Sequence, residues 1–235
     1  MKAMILAAGR GERMRPLTDQ CPKPLLKAGG KPLLQWHLDA LQQAGITEVV
    51  VNHAHLGWQI EQALGDGADQ GLRIDYSPEV QALETAGGIA QALHLLGQRP
   101  FLVVNGDVST NWPMARAVQV LSSWSPGQLA HLVLVPNPPH HPEGDFALQG
   151  DMVLSRAASG LPSYTFSGIG VYAPNLFEAI SPGTVAKLAP LLRSAMAEGK
   201  VKGELHTGFW MDVGTPQRLQ ELDDYLLKQQ QAEQP

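Results

Sequence analysis

The fold is indicated near the start of the chain by the stretch MILAAGRGER, residues 4–13. Its apolar half, residues 4–8, predicts a buried strand, and the glycines that follow predict a loop at the strand's carboxyl end. Gly9 and Gly11 leave room for backbone N–H groups to approach phosphate oxygens, where a side chain would obstruct them. The stretch therefore indicates a phosphate-binding loop, although two glycines alone could equally build a tight turn.

Strand and helix patterns alternate from this loop onward. Further strands are predicted at residues 48–51, 72–76, 101–104 and 129–135. The helices between them show apolar residues at helical spacing, and a last helix is predicted to begin at Thr215 and Pro216. A hairpin at residues 146–154 interrupts the alternation. We expect an α/β fold with a mostly parallel sheet that is covered on both faces.

Length and composition bound the class of protein. The chain has 235 residues, of which 44% are hydrophobic and 17% charged, as in ordinary globular proteins. We expect one domain over residues 1–228 and a disordered tail over residues 229–235. The single cysteine, Cys21, excludes an intrachain disulfide and a multi-cysteine zinc site.

Charge and hydropathy argue against two classes of partner. A formal net charge of −5 and the lack of a Lys/Arg-rich block argue against nucleic-acid binding. No apolar stretch approaches the roughly 20 residues that span a bilayer, and the N-terminus shows no signal-peptide pattern. We therefore expect a cytoplasmic protein with no membrane, nucleic-acid or protein partner indicated.

Cations concentrate beside the glycine loop. Arg13 and Lys23 lie there with Arg10 and Arg15, and such a cluster is favourable when an anion such as triphosphate separates the charges. Arg10 and Arg15 are interpreted as solvated surface charges. A Walker A loop is excluded because no Gly-Lys-Ser/Thr precedes the helix, and a dinucleotide fingerprint because Met14 replaces its third glycine.

Five motifs together resemble the signature of sugar-1-phosphate nucleotidyltransferases. They are LAAGRGERMRPLT (residues 6–18), PKPL (22–25), ETAGG (84–88), NGD (105–107) and WMDVGTP (210–216). The resemblance spans nearly the whole chain, and we expect no further domain after it. It implies a Rossmann-like three-layer α/β/α domain with a mixed, mostly parallel sheet. It also implies a Mg²⁺-dependent transfer of a nucleoside monophosphate from a nucleoside triphosphate to a sugar 1-phosphate.

The resemblance assigns the contacts to the triphosphate. The backbone contacts fall on Ala8, Gly9 and Gly11. Arg13 and Lys23 are the implied catalytic cations, and Lys23 is placed near the reacting α-phosphorus. A lysine suits that role because a mobile point charge can follow the charge that develops on the transferred group.

The resemblance also implies a metal site. Asp107 and Asp212 correspond to the two carboxylates that bind Mg²⁺ in the family. Such an ion needs only one or two carboxylates besides phosphate oxygens and water. Without the motifs around them, both residues would be interpreted as turn or cap residues.

Base and sugar contacts are implied by three further segments. Gly88 resembles the position whose N–H reads a pyrimidine edge, and Glu79 or Gln81 completes base recognition. The implied sugar contacts are Asn105, Ser167 and Gly168. Each glycine has a structural alternative, since Gly88 could belong to a turn before a helix and Gly168 could permit close strand packing.

One segment departs from the family pattern, and two histidines need a separate interpretation. The family commonly carries a Glu-Lys-Pro segment that contacts the sugar, and residues 156–162 contain nothing similar. His53 and His55 lack a third ligand of matching spacing, so we interpret them as core or surface histidines rather than as a metal site.

The choice of nucleotide sugar rests on resemblance alone. The short chain, residues 52–56 and residues 210–216 most resemble the uridylyltransferases of cell-wall recycling that act on N-acetylmuramate 1-phosphate, with UTP as the nucleotide. Mannose-1-phosphate guanylyltransferases are nearly as similar. A lactyl carboxylate on the sugar would require a cation, for which Arg156 and Lys187 are candidates. A nucleotide-sugar-binding regulatory protein without turnover is the non-enzymatic alternative.

Overall fold

The secondary structure of the computed structural model is described for residues 1–155 and 160–232. The strands are β1 (Lys2–Leu6), β2 (Lys27–Ala28), β3 (Lys31–Pro32), β4 (Glu48–His53), β5 (Arg73–Pro78), β6 (Phe101–Asn105), β7 (Val108–Thr110), β8 (Ala130–Val135), β9 (Phe146–Gln149), β10 (Met152–Ser155), β11 (Ser163–Tyr172), β12 (Val201–Leu205) and β13 (Trp210–Asp212). The helices are α1 (Leu33–Gln43), α2 (Gly57–Leu64), α3 (Glu84–Leu96), α4 (Ala115–Ser122), α5 (Leu188–Ala197) and α6 (Pro216–Ala232). None of the helices in these ranges has the length and apolarity needed to cross a bilayer.

Among the described residues, nine strands form the main sheet, in the order β5-β4-β1-β6-β11-β8-β12-β10-β9. β1 pairs in parallel with β4 and β6, and β4 pairs in parallel with β5. β11 runs antiparallel to β6 and β8, whereas β12 is parallel to β8. β10 runs antiparallel to both β12 and β9. Only β11 and β10 thus oppose the common strand direction, which confirms the mixed, mostly parallel sheet.

Helices cover both faces of the sheet because side chains along a strand alternate between the faces. Ala3 and Ile5 of β1 pack with buried residues of α1, α2 and α4. Met4, between them, packs with buried residues of α3 and α5. All three side chains are fully buried. The three-layer architecture expected from the sequence is confirmed.

β1 lies where the strand order changes direction. The chain passes from β1 to β4 and β5 on one side and then returns to β6 on the other. The connections after β1 and β6 therefore diverge and leave a crevice at the carboxyl ends of the strands, where open α/β sheets bind ligands. The glycine loop follows β1 at this crevice.

The C-terminal segment returns to the same end of the sheet. β13 pairs antiparallel with β7 and sets Asp212 opposite Val108. α6 then packs its buried Leu222 in a small apolar cluster with Ala28 and Val213. The cluster fixes the end of the chain beside the crevice.

The last helix extends farther than predicted. α6 continues to Ala232, and the Gln230 side chain donates to the Gly29 carbonyl at 3.1 Å. The prediction of a disordered tail is therefore wrong for residues 229–232. The polar sequence of this segment gave no sign of the contact with Gly29. Residues 233–235 lie outside the described part of the chain.

Two element boundaries also differ from expectation. β1 ends earlier because the N–H of Ala7 donates to Oδ1 of Asn52 at 2.8 Å instead of to the neighbouring strand. α3 begins at Glu84, so Gly88 lies inside the helix and not in a turn before it, and backbone N–H groups of the first turn donate to the carbonyl of Ala186. Both boundaries are set by contacts between segments that are distant in sequence.

Candidate active site

A cavity of about 460 Å³ opens at the crevice beside β1. The residues of the implied site that line it are Ala8, Gly9, Gly11, Arg13, Lys23, Glu79, Asn105 and Asp107. Those that do not line it are Gly88, Ser167, Gly168 and Asp212. Residues from separate motifs are thus largely brought together in one place, although their chemical roles stay predictions.

The shape of the glycine loop depends on Gly11. Its φ of +67° is in the left-handed region, and a Cβ there would lie 3.0 Å from Thr18 Cγ2 and 3.3 Å from Lys23 Cβ. The buried Thr18 hydroxyl donates to the Gly11 carbonyl at 2.8 Å. Gly9 differs, because a Cβ at that position would meet no atom within 4 Å. Gly11 therefore maintains the loop, whereas Gly9 leaves open space at the cavity.

Arg10 supports the loop and is not simply a solvated charge. Its Nη1 donates to the Thr18 carbonyl at 3.1 Å and makes a short contact with His55 Nε2. Arg15 is exposed and forms an ion pair with Asp19 at 2.7 Å. The interpretation as a surface charge thus fits Arg15 but not Arg10.

The two histidines have separate partners. His53 Nε2 lies 2.7 Å from Glu61 Oε1, and His55 Nε2 lies 3.0 Å from the Thr18 carbonyl in addition to its contact with Arg10. The described ranges contain no group of three or more His, Cys, Asp or Glu side chains placed to hold a metal ion. Both histidines therefore support the architecture around the loop.

The two cations of the cavity differ in how their charge is balanced. Lys23 has a side chain only 11% exposed, and its Nζ donates to Asp107 Oδ2 at 2.6 Å. Arg13 is exposed beside Gly214, where a Cβ would lie 2.9 Å from Arg13 Nη2. Within residues 1–155 and 160–232, no carboxylate lies within ion-pair distance of Arg13. Arg13 is thus available to an anionic ligand.

Asp107 and Asp212 are neighbours across the β7–β13 ribbon. The N–H of Val213 donates to the Asp107 carbonyl at 2.7 Å, which joins the two segments directly. Asp107 lines the cavity, whereas Asp212 accepts a short hydrogen bond from Arg218 and lies 2.9 Å from His140 Nε2. The backbone contact places the two residues at the same end of the ribbon, and carboxylates are the ligands that a hard cation takes besides phosphate and water.

Glu79 is a buried residue that lines the cavity. Its Oε1 accepts from Asn52 Nδ2 at 2.6 Å, and its Oε2 accepts from the N–H of Leu83 at 2.8 Å. Asn52 also accepts from the N–H of Ala7, so it connects the loop of Glu79 to the glycine loop. Asn52 also lines the cavity and was not expected as a site residue.

Gly88 lies within α3, adjacent to the cavity rather than in its lining. It is buried, and a Cβ there would lie 2.7 Å from Glu79 Oε1 and 2.8 Å from Asn52 Nδ2. Gly88 therefore makes room for the Asn52–Glu79 pair. Gln81, the other residue expected near the base, is exposed in the preceding loop.

The residues expected at the sugar lie around Asn105. Gly168 has a φ of +81°, and a Cβ there would lie 2.7 Å from Asn105 Nδ2. Ser167 is buried, its Oγ accepts from the N–H of Ile169 at 3.2 Å, and its carbonyl accepts from Trp210 Nε1 at 2.9 Å. Ser167 and Gly168 thus position Asn105 and Trp210, and only Asn105 reaches the cavity lining.

The two cations suggested for a lactyl carboxylate have different outcomes. Lys187 is exposed immediately before α5, two residues after Val185, which lines the cavity. Arg156 lies outside the described residues, as do the neighbouring positions 157–159. Within the described part of the chain, no replacement for the Glu-Lys-Pro contact is identified.

His37 is a buried neutral residue behind Asp107. Burial lowers the pKa of His37 to about 4, and the nearby Asp107 charge and a hydrogen bond to Val108 offset this only in part. The residue is 4% exposed, and its Nε2 has no hydrogen-bond partner in the described part of the chain. It therefore adds no positive charge beside Asp107 at neutral pH.

The comparisons with known proteins agree with this geometry. The nucleotidyl transferase family model matches residues 2–229, and the chain belongs to this family. It is 60% identical over 222 residues to the N-acetylmuramate alpha-1-phosphate uridylyltransferase of Neisseria meningitidis, across 94% of this chain and 96% of that protein. The Caulobacter vibrioides enzyme of the same name is 37% identical, across 92% of each chain.

A solved structure supports the fold independently. A Bacillus anthracis protein assigned as a glucose-1-phosphate thymidylyltransferase superposes with a TM-score of 0.84, covering 97% of this chain and 95% of that chain. The sequence identity is 22%, so this likeness concerns the fold alone.

Proposed function

We propose that the chain transfers UMP from UTP to N-acetylmuramate α-1-phosphate and releases pyrophosphate. The choice of substrates rests on the 60% identity with the Neisseria relative along nearly the full length of both chains. The reaction class has a second support, because the glycine loop, Arg13, Lys23 and Asp107 share one cavity.

The transfer needs no histidine base, since a sugar phosphate oxygen is already an anionic nucleophile. This oxygen forms a bond to the α-phosphorus of UTP, while the bond from that phosphorus to the bridging oxygen breaks. The bridging oxygen keeps the electron pair and leaves with pyrophosphate. Lys23 stabilises the charge on the α-phosphoryl oxygens, and Arg13 holds the outer phosphates.

Asp107 and Asp212 are the proposed ligands of Mg²⁺. When bound, the ion neutralises phosphate charge during the displacement. Lys23 can turn its ammonium group from Asp107 to a phosphate oxygen, because four rotatable bonds separate that group from the backbone.

Base and sugar are proposed to bind at opposite ends of the cavity. Residues 79–88 form the base end, with Glu79 and the Gly88 segment as its contacts. Asn105, supported by Ser167 and Gly168, forms the sugar end. Lys187 is the proposed partner of the lactyl carboxylate.

The reaction would belong to cell-wall recycling and take place in the cytoplasm. UTP is made inside the cell, and a uridylyltransferase must meet it there.

A panel of nucleoside triphosphates crossed with sugar 1-phosphates, scored for pyrophosphate, tests the proposal. UTP with N-acetylmuramate α-1-phosphate should give the highest kcat/KM. A preference for GTP with mannose 1-phosphate would favour the guanylyltransferase alternative. Nucleotide binding without pyrophosphate release from any pair would favour a regulatory protein.

A further inference from the structure

Two guanidinium groups meet at Gly214, which lines the cavity. A Cβ on Gly214 would lie 2.7 Å from Arg218 Nη2 and 2.9 Å from Arg13 Nη2. The two cations are therefore neighbours, with no more than the space of a methyl group between each of them and the backbone of Gly214. They come from opposite ends of the chain, from the loop after β1 and from the first turn of α6.

The charges of this pair are only partly balanced. Arg218 Nη1 donates to Asp212, but the Arg13 guanidinium has no carboxylate partner among the described residues. Like charges in contact repel, and an anion bound between them converts that repulsion into attraction. A polyphosphate is the anion that this cavity is otherwise built to receive.

Arg218 is held in a position that leaves the Nη2 side of its guanidinium group without a partner among the described residues. Its backbone N–H donates to Thr215 Oγ1 at 3.3 Å, which fixes the residue in the first turn of the helix. The side chain is 15% exposed, and Nη1 is occupied by Asp212 and by the contact with His140 Nε2 at 2.9 Å. Nη2 faces Gly214, and no acceptor within residues 1–155 and 160–232 reaches it. A guanidinium fork can serve two anions through its separate N–H groups.

His140 offers Asp212 a second donor. Its Nε2 lies 2.9 Å from both Asp212 Oδ1 and Arg218 Nη1, but one ring nitrogen cannot donate to the first and accept from the second at once. In the tautomer with a proton on Nε2, His140 holds Asp212. Arg218 is then less needed there and can turn toward phosphate.

We propose that Arg218 is a second arginine contact for the pyrophosphate part of the nucleotide, acting beside Arg13 across Gly214. The inference rests on the proposed nucleotidyltransferase function but not on the identity of the base or the sugar. It assigns to Arg218 a role that differs from merely holding Asp212.

Direct binding of pyrophosphate without metal tests this role. Arg218→Gln should weaken pyrophosphate binding, measured by calorimetry in the presence of EDTA, by on the order of tenfold. Arg218→Lys keeps the charge but loses the forked guanidinium, so its affinity for pyrophosphate should lie between those of the unchanged protein and Arg218→Gln. Arg73→Gln is the matched control, because Arg73 is an exposed arginine paired with Asp75 away from the cavity. In turnover with UTP, Arg218→Gln should raise KM for UTP and weaken product inhibition by pyrophosphate, with KM for the sugar phosphate unchanged.

A purely structural role gives a different pattern. If Arg218 only holds Asp212, metal-free pyrophosphate binding stays at the level of the unchanged protein, and only the Mg²⁺ concentration for half-maximal turnover shifts. That pattern, or a lack of pyrophosphate binding by the unchanged protein, would overturn the proposal. Circular dichroism of both Arg218 variants confirms folding, and Arg218→Lys still tests the role if Arg218→Gln does not fold. Failure of the substrate panel would not affect the binding measurement, so the two proposals are judged separately.

Discussion

Gly9→Ala separates phosphate binding from folding more cleanly than any other change in the loop. A Cβ at this exposed position meets no atom within 4 Å, and the backbone is not in the left-handed region. The free energy of unfolding should therefore change by less than about 0.5 kcal/mol. If backbone N–H groups of the loop bind triphosphate, the new methyl group stands where a phosphate oxygen must approach.

The expected loss is therefore in nucleotide binding. Losing one charge-assisted hydrogen bond costs about 1.5–3 kcal/mol, which corresponds to an increase in KM for UTP of on the order of tenfold to a hundredfold. Gly11→Ala is the matched comparison, because a φ of +67° and the contacts with Thr18 and Lys23 make that change destabilising. A left-handed alanine costs about 1–2 kcal/mol before any crowding is counted.

Urea unfolding and steady-state kinetics of the two variants make up the assay. Gly9→Ala should keep its stability and lose affinity for UTP, whereas Gly11→Ala should lose stability as well. Normal KM for UTP in Gly9→Ala would refute the argument that this loop holds the triphosphate through its backbone.

Three further predictions concern the cations, the carboxylates and pH. Lys23→Ala should lower kcat/KM by on the order of 10², measured by pyrophosphate release, and near-normal turnover in the folded variant would exclude a catalytic role for Lys23. Asp107→Asn and Asp212→Asn should each nearly abolish turnover across a Mg²⁺ titration, with the double variant little worse than the worse single one; multiplicative losses would exclude a shared ion. His37 has a folded pKa of about 4 against 6.5 in the unfolded chain, so its stabilisation is complete above pH 6.5 and is lost as the pH falls toward 4. The loss should reach about 3 kcal/mol and be missing in His37→Gln, and identical pH profiles of urea unfolding for the two proteins would contradict it.

The fold and the glycine loop were predictable because their signals are local. Alternating apolar patterns identify strands and helices within a few residues, and the glycines expected to let backbone N–H groups approach a phosphate lie next to each other in the chain. The position of Asp107 beside Asp212 was expected only through family resemblance. The structure shows its physical basis, since the β7–β13 ribbon joins the two segments through the N–H of Val213.

Asn52 and Arg218 could not be recognised from their own surroundings. Asn52 is the second-to-last residue of the buried strand β4, and its significance comes from Ala7 and Glu79, which lie in two other segments. In the sequence, Arg218 looks like an ordinary polar residue in the first turn of an amphipathic helix. Its relation to Arg13 arises only when α6 returns to the glycine loop. Polar residues at element ends are common, so the sequence offers no reason to choose these two.

Glycines show most clearly why a motif does not fix a role. Gly11 is required by its backbone conformation, Gly88 by the space that Asn52 and Glu79 occupy, and Gly168 by both conformation and contact with Asn105. Gly9 meets neither requirement, because it has ordinary backbone geometry and open space around its missing Cβ. A glycine that the folded chain does not need is best explained by something that the chain binds. Gly9 therefore supports a phosphate ligand more securely than the glycines whose surroundings already account for them.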